Sequence, residues 1–105
     1  MNHTTSISIN SPLVRKLRTV IKKKYGFSWS EIASSDHHAD VTEMRRMLVK
    51  YMYTEMTLNQ ENIAFILKIK QCAVSKIIKK HDDLVQVEPK YKENYTHFVE
   101  FCNMN

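Results

Sequence analysis

A shortage of turn-forming residues constrains the fold of this chain more than any other feature of its sequence. Its 105 residues include one glycine, Gly26, and two prolines, Pro12 and Pro89. Tight turns depend on these residue types, whereas Leu, Met, Ile, Lys and Glu favour helix. Because 43% of the residues are apolar, the chain can bury one modest core. We therefore expect an all-α fold, a compact bundle of about five to six helices, with a flexible tail at residues 1–10 and one domain at residues 11–105.

Helix start and stop signals place the first two helices. Pro12 follows a serine that can cap, and it predicts the start of a helix that ends at Gly26. The apolar stripe of this helix is predicted at Leu13, Leu17, Val20 and Ile21. The sequence SWSE, residues 28–31, has the pattern of a capping box. It predicts a short second helix that ends by Ser34 or Ser35.

Four further helices are predicted along the rest of the chain. Residues 36–40 form a loop that leads into a long helix of about four turns. Thr57 or Asn59 can cap the next helix, residues 70–81 form another, and Pro89 opens the last. Apolar residues recur at helical spacing in each segment. The predicted core positions are Val41, Met44, Leu48, Tyr51, Met52, Ile63, Ile66, Leu67, Val74, Ile77, Ile78, Tyr91, Tyr95, Phe98 and Cys102.

The run from Leu58 to Lys80 contains two short amphipathic segments, and the break between them near Lys68 holds neither glycine nor proline. Such a break fits a helix-turn-helix, in which the second helix turns sharply and packs across the first. Ala64 is small enough for the helices to cross, and Ile69 can fill the gap between them. Lys68 lies where many such motifs have glycine, which accepts a positive φ. A lysine can adopt this conformation at a cost of about 1 kcal/mol. An ordinary helical hairpin in a bundle is the alternative.

The outward face of the second helix carries side chains that can read DNA. Its N-terminal half would point at base edges in the major groove, where Lys donates to guanine, Gln pairs with adenine and Ser adapts to either. We interpret Cys72 as a buried small hydrophobic residue in preference to a base contact. The predicted DNA-binding residues of this motif are Lys68, Lys70, Gln71, Ser75, Lys76 and Lys79.

Positive charge is concentrated in two segments that contain no acidic residue. The formal net charge is +5, and residues 1–30 carry six cations while residues 63–81 carry five. If the fold brings these segments side by side, they form a positive face that attracts a polyanion. An ordinary solvated surface is the alternative.

Four stretches follow one another along the chain: KKKYGFSWSEIAS before a loop, DVTEMRRMLVKYMYTEMT, NIAFILKIKQCAVSKIIKK and PKYKENYTHF. Their order resembles the C-terminal duplex-DNA-binding domain of the bacterial replication initiator DnaA, an all-helical fold related to the Trp repressor. The four stretches correspond to the family's first helices, long helix, helix-turn-helix and closing helix. The resemblance spans about residues 12–101. It implies binding to double-stranded DNA.

The resemblance also implies roles for particular residues. In the family an arginine at the position of Arg45 reaches a minor groove, and the preceding loop contacts phosphate, which implies DNA contacts for Arg45 and for His37 and His38. An arginine in the first turn of a helix also opposes the helix dipole and favours a nearby anion. The family's Arg-Asp-His-Ser/Thr-Thr-Val signature aligns with residues 69–74, where only Val74 matches. No GxxxxGK[ST] sequence occurs, so we do not expect an ATP-driven initiator.

Catalysis and metal binding are not predicted. One glycine leaves few of the loops that catalytic constellations need, so we expect no enzyme activity, no cofactor and no small-molecule substrate. His37 and His38 are adjacent and cannot easily bind one ion, so no metal site is predicted.

Compartment and partners follow from the remaining features. The sequence lacks an apolar run of about 18 residues and a signal-peptide pattern, so we expect a cytoplasmic protein without a membrane partner. Cys72 and Cys102 should remain free thiols.

We predict a transcription or replication-associated regulator that binds specific double-stranded DNA, with a homodimer or protein partner as a further possibility. The competing interpretation is a protein-protein interaction module on a helix-turn-helix scaffold that no longer binds DNA.

Overall fold

The computed structural model describes residues 12–34 and 38–104, and across these two ranges the chain forms six helices and no strand. The helices are α1 (Pro12–Tyr25), α2 (Trp29–Ile32), α3 (Ala39–Thr54), α4 (Gln60–Leu67), α5 (Gln71–Val87) and α6 (Pro89–Met104). The all-α bundle predicted from the scarcity of turn-forming residues is confirmed. The predicted tail, residues 1–10, lies outside the described residues. None of the helices in the described ranges combines the length and apolar character that crossing a lipid bilayer requires.

The junction between α1 and α2 follows the local signals of the sequence. Gly26 ends α1 with a φ of 82°, a conformation that glycine adopts without steric cost. Its amide donates to the carbonyl oxygens of Ile21 and Lys22 at 3.0 and 3.1 Å. The Glu31 amide then donates to Ser28 Oγ at 3.3 Å, and the Ser28 amide donates to Glu31 Oε1 at 2.9 Å. This is the predicted capping box.

The long helix α3 is the centre of the bundle, since it contacts α2, α4, α5 and α6. All five of its predicted core positions are buried. Tyr51 packs edge-on against Phe98 of α6, with ring centroids 5.8 Å apart. Among the predicted core positions of α3 to α6, Ile77 and Tyr95 are partly exposed and the others are buried. In the apolar stripe predicted for α1, Leu13 is 55% exposed, so its predicted burial is wrong, and the other three positions are buried.

The turn between α4 and α5 is closed by a left-handed residue that is not glycine. Lys68 has φ 57° and ψ 43°. The Ile69 amide donates to the Ala64 carbonyl at 3.0 Å, and the Lys68 amide donates to the Phe65 carbonyl at 3.4 Å. These two bonds form a Schellman motif, which satisfies carbonyls at the end of α4. Ile69 packs against the core and Ala64 is buried, as the sequence predicts.

Helix α5 is longer than expected, because it continues past residue 81 to Val87. His81 is buried, and Asp82 accepts a hydrogen bond from Lys50 Nζ of α3 at 2.8 Å, so packing supports the helix through this acidic stretch. The helix ends where Glu88 takes an extended conformation, with φ −124° and ψ 99°. A residue that precedes proline favours this conformation.

Replacing Lys68 with glycine is expected to raise the free energy of unfolding by about 0.5–1 kcal/mol, because glycine has no Cβ to oppose a positive φ. The matched control is Lys79→Gly, at an exposed position inside α5, which is expected to lower it by about 1 kcal/mol. Urea unfolding followed by far-ultraviolet circular dichroism measures both values. Loss of stability in Lys68→Gly would contradict the left-handed conformation of Lys68.

Candidate nucleic-acid interface

The N-terminal half of α5 presents an exposed polar face over an apolar inner face. Val74 is inaccessible and Ile78 is 9% exposed, so these residues fix the rotation of the helix against the core. The opposite face is therefore directed outward. The predicted residues Lys68, Lys70, Gln71, Ser75, Lys76 and Lys79 are all exposed.

A shallow depression of about 520 Å³ lies where the start of α4 meets this face. Gln60, Gln71, Cys72, Ser75 and Lys76 line it. The expectation that Cys72 is buried is wrong, since its side chain is exposed. It precedes Val74 by two residues, or about 200° of helical rotation, which places it on the opposite face.

Gln60 is a lining residue that the sequence analysis did not identify. It is the first residue of α4, directly after Asn59, whose side chain accepts a hydrogen bond from the Asn62 amide at 2.8 Å. The cap is visible in the sequence, but the approach of Gln60 to α5 depends on how the two helices cross. The amide side chain of Gln60 can both donate and accept hydrogen bonds, which suits contacts to phosphate or base edges.

Side chains in its C-terminal half hold α5 in place. His81, 2% exposed, shares a 2.6 Å hydrogen bond between its Nδ1 and the Tyr91 hydroxyl of α6. Its ring also packs edge-on against Tyr95, with centroids 4.4 Å apart. Burial, followed by the positive charge of Lys50, lowers the pKa of His81 from 6.5 to about 4. Burial raises the pKa of the Tyr91 hydroxyl, so both partners of this bond are neutral near pH 7.

The low pKa of His81 should make folding sensitive to mild acid. The unfolded chain binds a proton at His81 near pH 6.5, whereas the folded chain resists it down to about pH 4, so stability falls as the pH drops. Between about pH 7 and about pH 5 we expect a loss of about 2 kcal/mol from this residue. Thermal unfolding of the wild type and of His81→Gln across this range checks the value. If stability depended on pH to the same extent in both proteins, the assignment of this loss to His81 would be contradicted.

Arg45 does not lie at an exposed surface, so its predicted role in a minor groove is corrected. It is the seventh residue of α3, not part of the first turn, and it is 6% exposed. Its Nε donates to the Ile32 carbonyl at 2.8 Å and its Nη2 donates to the Glu31 carbonyl at 3.2 Å. Arg45 thus joins α3 to the end of α2. Helix α2 ends at Ile32, within the predicted limit of Ser34 or Ser35.

The loop before α3 is described in part. His38 is exposed and immediately precedes the helix, in an extended conformation with φ −59° and ψ 141°. His37, the other predicted phosphate contact, lies outside the described residues.

The cations of α1 form a second basic depression, of about 510 Å³. Its charged residues are Arg15, Arg18, Lys22 and Lys23, and no acidic side chain from the described part of the chain lines it. The Arg18 guanidinium lies over the Trp29 ring, 5.8 Å from its centroid. Four cations around one depression create a positive potential that attracts phosphate groups.

The two basic segments pack on different parts of the bundle. Contacts of α1 include Trp29 of α2 and Phe98 of α6, whereas α5 contacts α3, α4 and α6. Helix α6 is therefore a shared neighbour of both. A single positive face formed by α1 and α5 stays a prediction.

Comparison of the chain with protein-family models, curated proteins and solved structures returned no match. The residues described above are therefore the basis for assigning a function.

Proposed function

We propose that this protein binds double-stranded DNA through α4, the turn at Lys68 and α5, which together act as a helix-turn-helix. The observation that carries the proposal is the exposed face of α5, where Lys70, Gln71 and Lys76 are directed to solvent by a buried inner face. Between Glu61 and Asp82 the chain has no acidic residue, so nothing on this stretch repels phosphate.

The dimensions and chemistry of α5 suit the major groove. The groove is about 12 Å wide and admits an α-helix. Lys70 and Lys76 can donate to guanine or phosphate, and Gln71 can pair with adenine. Gln60, at the other side of the depression, is placed to position the motif on the backbone. These contacts would supply both affinity and sequence preference.

The basic depression on α1 adds a second group of phosphate contacts. These contacts would not depend on the DNA sequence, because cations that neutralise phosphates bind DNA of any sequence. The cations are Arg15, Arg18, Lys22 and Lys23. The protein would then act as a small regulator of transcription or replication, with specificity from α5 and general affinity from α1.

The experiment that tests the proposal is the salt dependence of binding to a labelled random-sequence duplex, followed by fluorescence anisotropy. Each phosphate that is neutralised contributes about −0.9 to the slope of log K against log salt, so we expect a slope steeper than about −3. Absence of binding at low salt would contradict DNA binding.

A protein-interaction module is the second candidate, and one residue favours it. Phe65 of α4 is 74% exposed, although a large aromatic residue is more often buried or covered by a partner. The burial of Arg45 also removes one of the DNA contacts that the resemblance implies. A flat salt response, with no binding to duplex, would support this candidate over the first.

A further inference from the structure

A cavity lies away from α4 and α5, between the end of α1, the first half of α3 and α6. Its volume is about 530 Å³, within the range of small-molecule sites, about 300–1,000 Å³. Met44 and Met47, each 3% exposed, form an apolar floor. Tyr25, Phe27 and Phe101 add aromatic surface. An apolar floor with aromatic walls can bury the body of a small ligand.

The rim of this cavity is acidic, in contrast to the net positive charge of the chain. Asp40, Glu43 and Glu100 line it, and its basic lining residues are Lys24 and His97. Three carboxylates against one ammonium and one imidazole leave an excess of negative charge. A cationic ligand is therefore favoured over a neutral or anionic one.

The cavity also has an aromatic face that attracts a positive charge. The Lys24 ammonium lies 5.2 Å from the centroid of the Phe101 ring, within the range of a cation–π interaction. The chain's own ammonium group thus occupies a position that a ligand ammonium could take over. Carboxylates and aromatic faces together are the groups that recognise an organic ammonium.

We propose that this cavity binds a small organic ammonium ion with an apolar body. The body contacts the methionine floor and the aromatic walls, while the ammonium faces Glu43 and Glu100. This site uses none of the residues proposed to contact DNA, so it can exist whether or not α5 binds DNA.

The test uses three probes that share one apolar body and differ in charge: phenethylamine, 2-phenylethanol and phenylacetate. The protein is labelled with ¹³C in its methionine methyl groups, and each probe is titrated in an NMR experiment. Phenethylamine is expected to shift the signals of Met44, Met47 and Met104, which line the cavity, and to leave Met52 and Met56 unchanged. It should bind about tenfold more tightly than the alcohol, and the acid should bind most weakly.

Variants on the rim separate charge recognition from general apolar binding. Glu43→Gln and Glu100→Gln should each weaken phenethylamine binding by about two- to fivefold. Glu93→Gln is the matched control, because Glu93 is an exposed acid of α6 that pairs with Lys90 and does not line the cavity. Lys24→Gln should strengthen binding by about twofold, since it removes a competing cation.

Equal affinity for the three probes would overturn the proposal, as would a loss in Glu93→Gln equal to that in Glu100→Gln. Failure of phenethylamine to shift the Met44 and Met47 signals at any soluble concentration would overturn it too. These outcomes do not bear on the proposed DNA binding, which involves a different surface.

Discussion

Arg45→Ala is expected to lower the free energy of unfolding by about 3 kcal/mol, because two hydrogen bonds from a charged donor are lost, one buried and one partly buried, and the Ile32 carbonyl stays buried. The acceptors are the carbonyls of Glu31 and Ile32. They anchor α2, a helix of four residues that is too short to be stable alone. Urea denaturation gives the change in stability directly.

Two variants sharpen the Arg45 prediction. Arg45→Lys keeps the charge but loses the planar group that reaches two carbonyls, so it should also destabilise the fold. Arg15→Ala, at an exposed position of α1, is the matched control and should change stability by less than about 0.5 kcal/mol. If Arg45→Ala were as stable as the wild type but bound DNA more weakly, the result would contradict the structural role of Arg45 and support the minor-groove contact that the resemblance implies.

Replacing Lys70 and Lys76 together with glutamine is expected to weaken duplex binding by about a hundredfold at low salt, since each is assigned a groove contact worth about 1–3 kcal/mol. Both side chains are exposed, so the circular dichroism spectrum should not change. The slope of log K against log salt should also become shallower, by up to the value of about 1.8 that two phosphate contacts would give. Fluorescence anisotropy measures both quantities.

The matched control removes the same amount of charge from another surface. Lys90 and Lys92 of α6 are exposed, and the pair between Lys90 and Glu93 is long, at 3.5 Å. Their double glutamine variant should bind DNA within about threefold of the wild type, because only long-range charge is lost. Equal losses in the two double variants would mean that net charge, and not the face of α5, determines binding.

Features governed by local chemistry could be predicted from the sequence. The end of α1 at Gly26 and the capping box at Ser28 depend on neighbouring residues alone. The left-handed conformation of Lys68 was predictable without a glycine, because Ala64 and Ile69 require a tight turn between two crossing helices. The inward positions of the helices followed from their apolar spacing, with the exception of Leu13, which is exposed.

Features governed by contacts between distant elements could not be predicted in the same way. Arg45 is bonded to residues 13 and 14 positions earlier, and nothing in its own helix indicates burial of a charge. The cavity lined by Glu43 and Glu100 exists because α1, α3 and α6 converge. Two details could have been predicted from the helical period. His81 follows Val74 by seven residues on the same face, which indicates that it is buried, and Cys72 lies opposite Val74, which indicates that it is exposed.

The reactivity of Cys72 provides the most direct test of the central claim that the exposed face of α5 contacts DNA. Cys72 is an exposed thiol inside the proposed interface, while Cys102 is buried. Reaction with a thiol reagent requires access to the sulfur. At low salt, saturating duplex should slow modification of Cys72, and added salt that releases the duplex should restore the rate. If anisotropy shows the duplex bound in the same sample while Cys72 reacts at its free rate, DNA binds elsewhere and the account is contradicted.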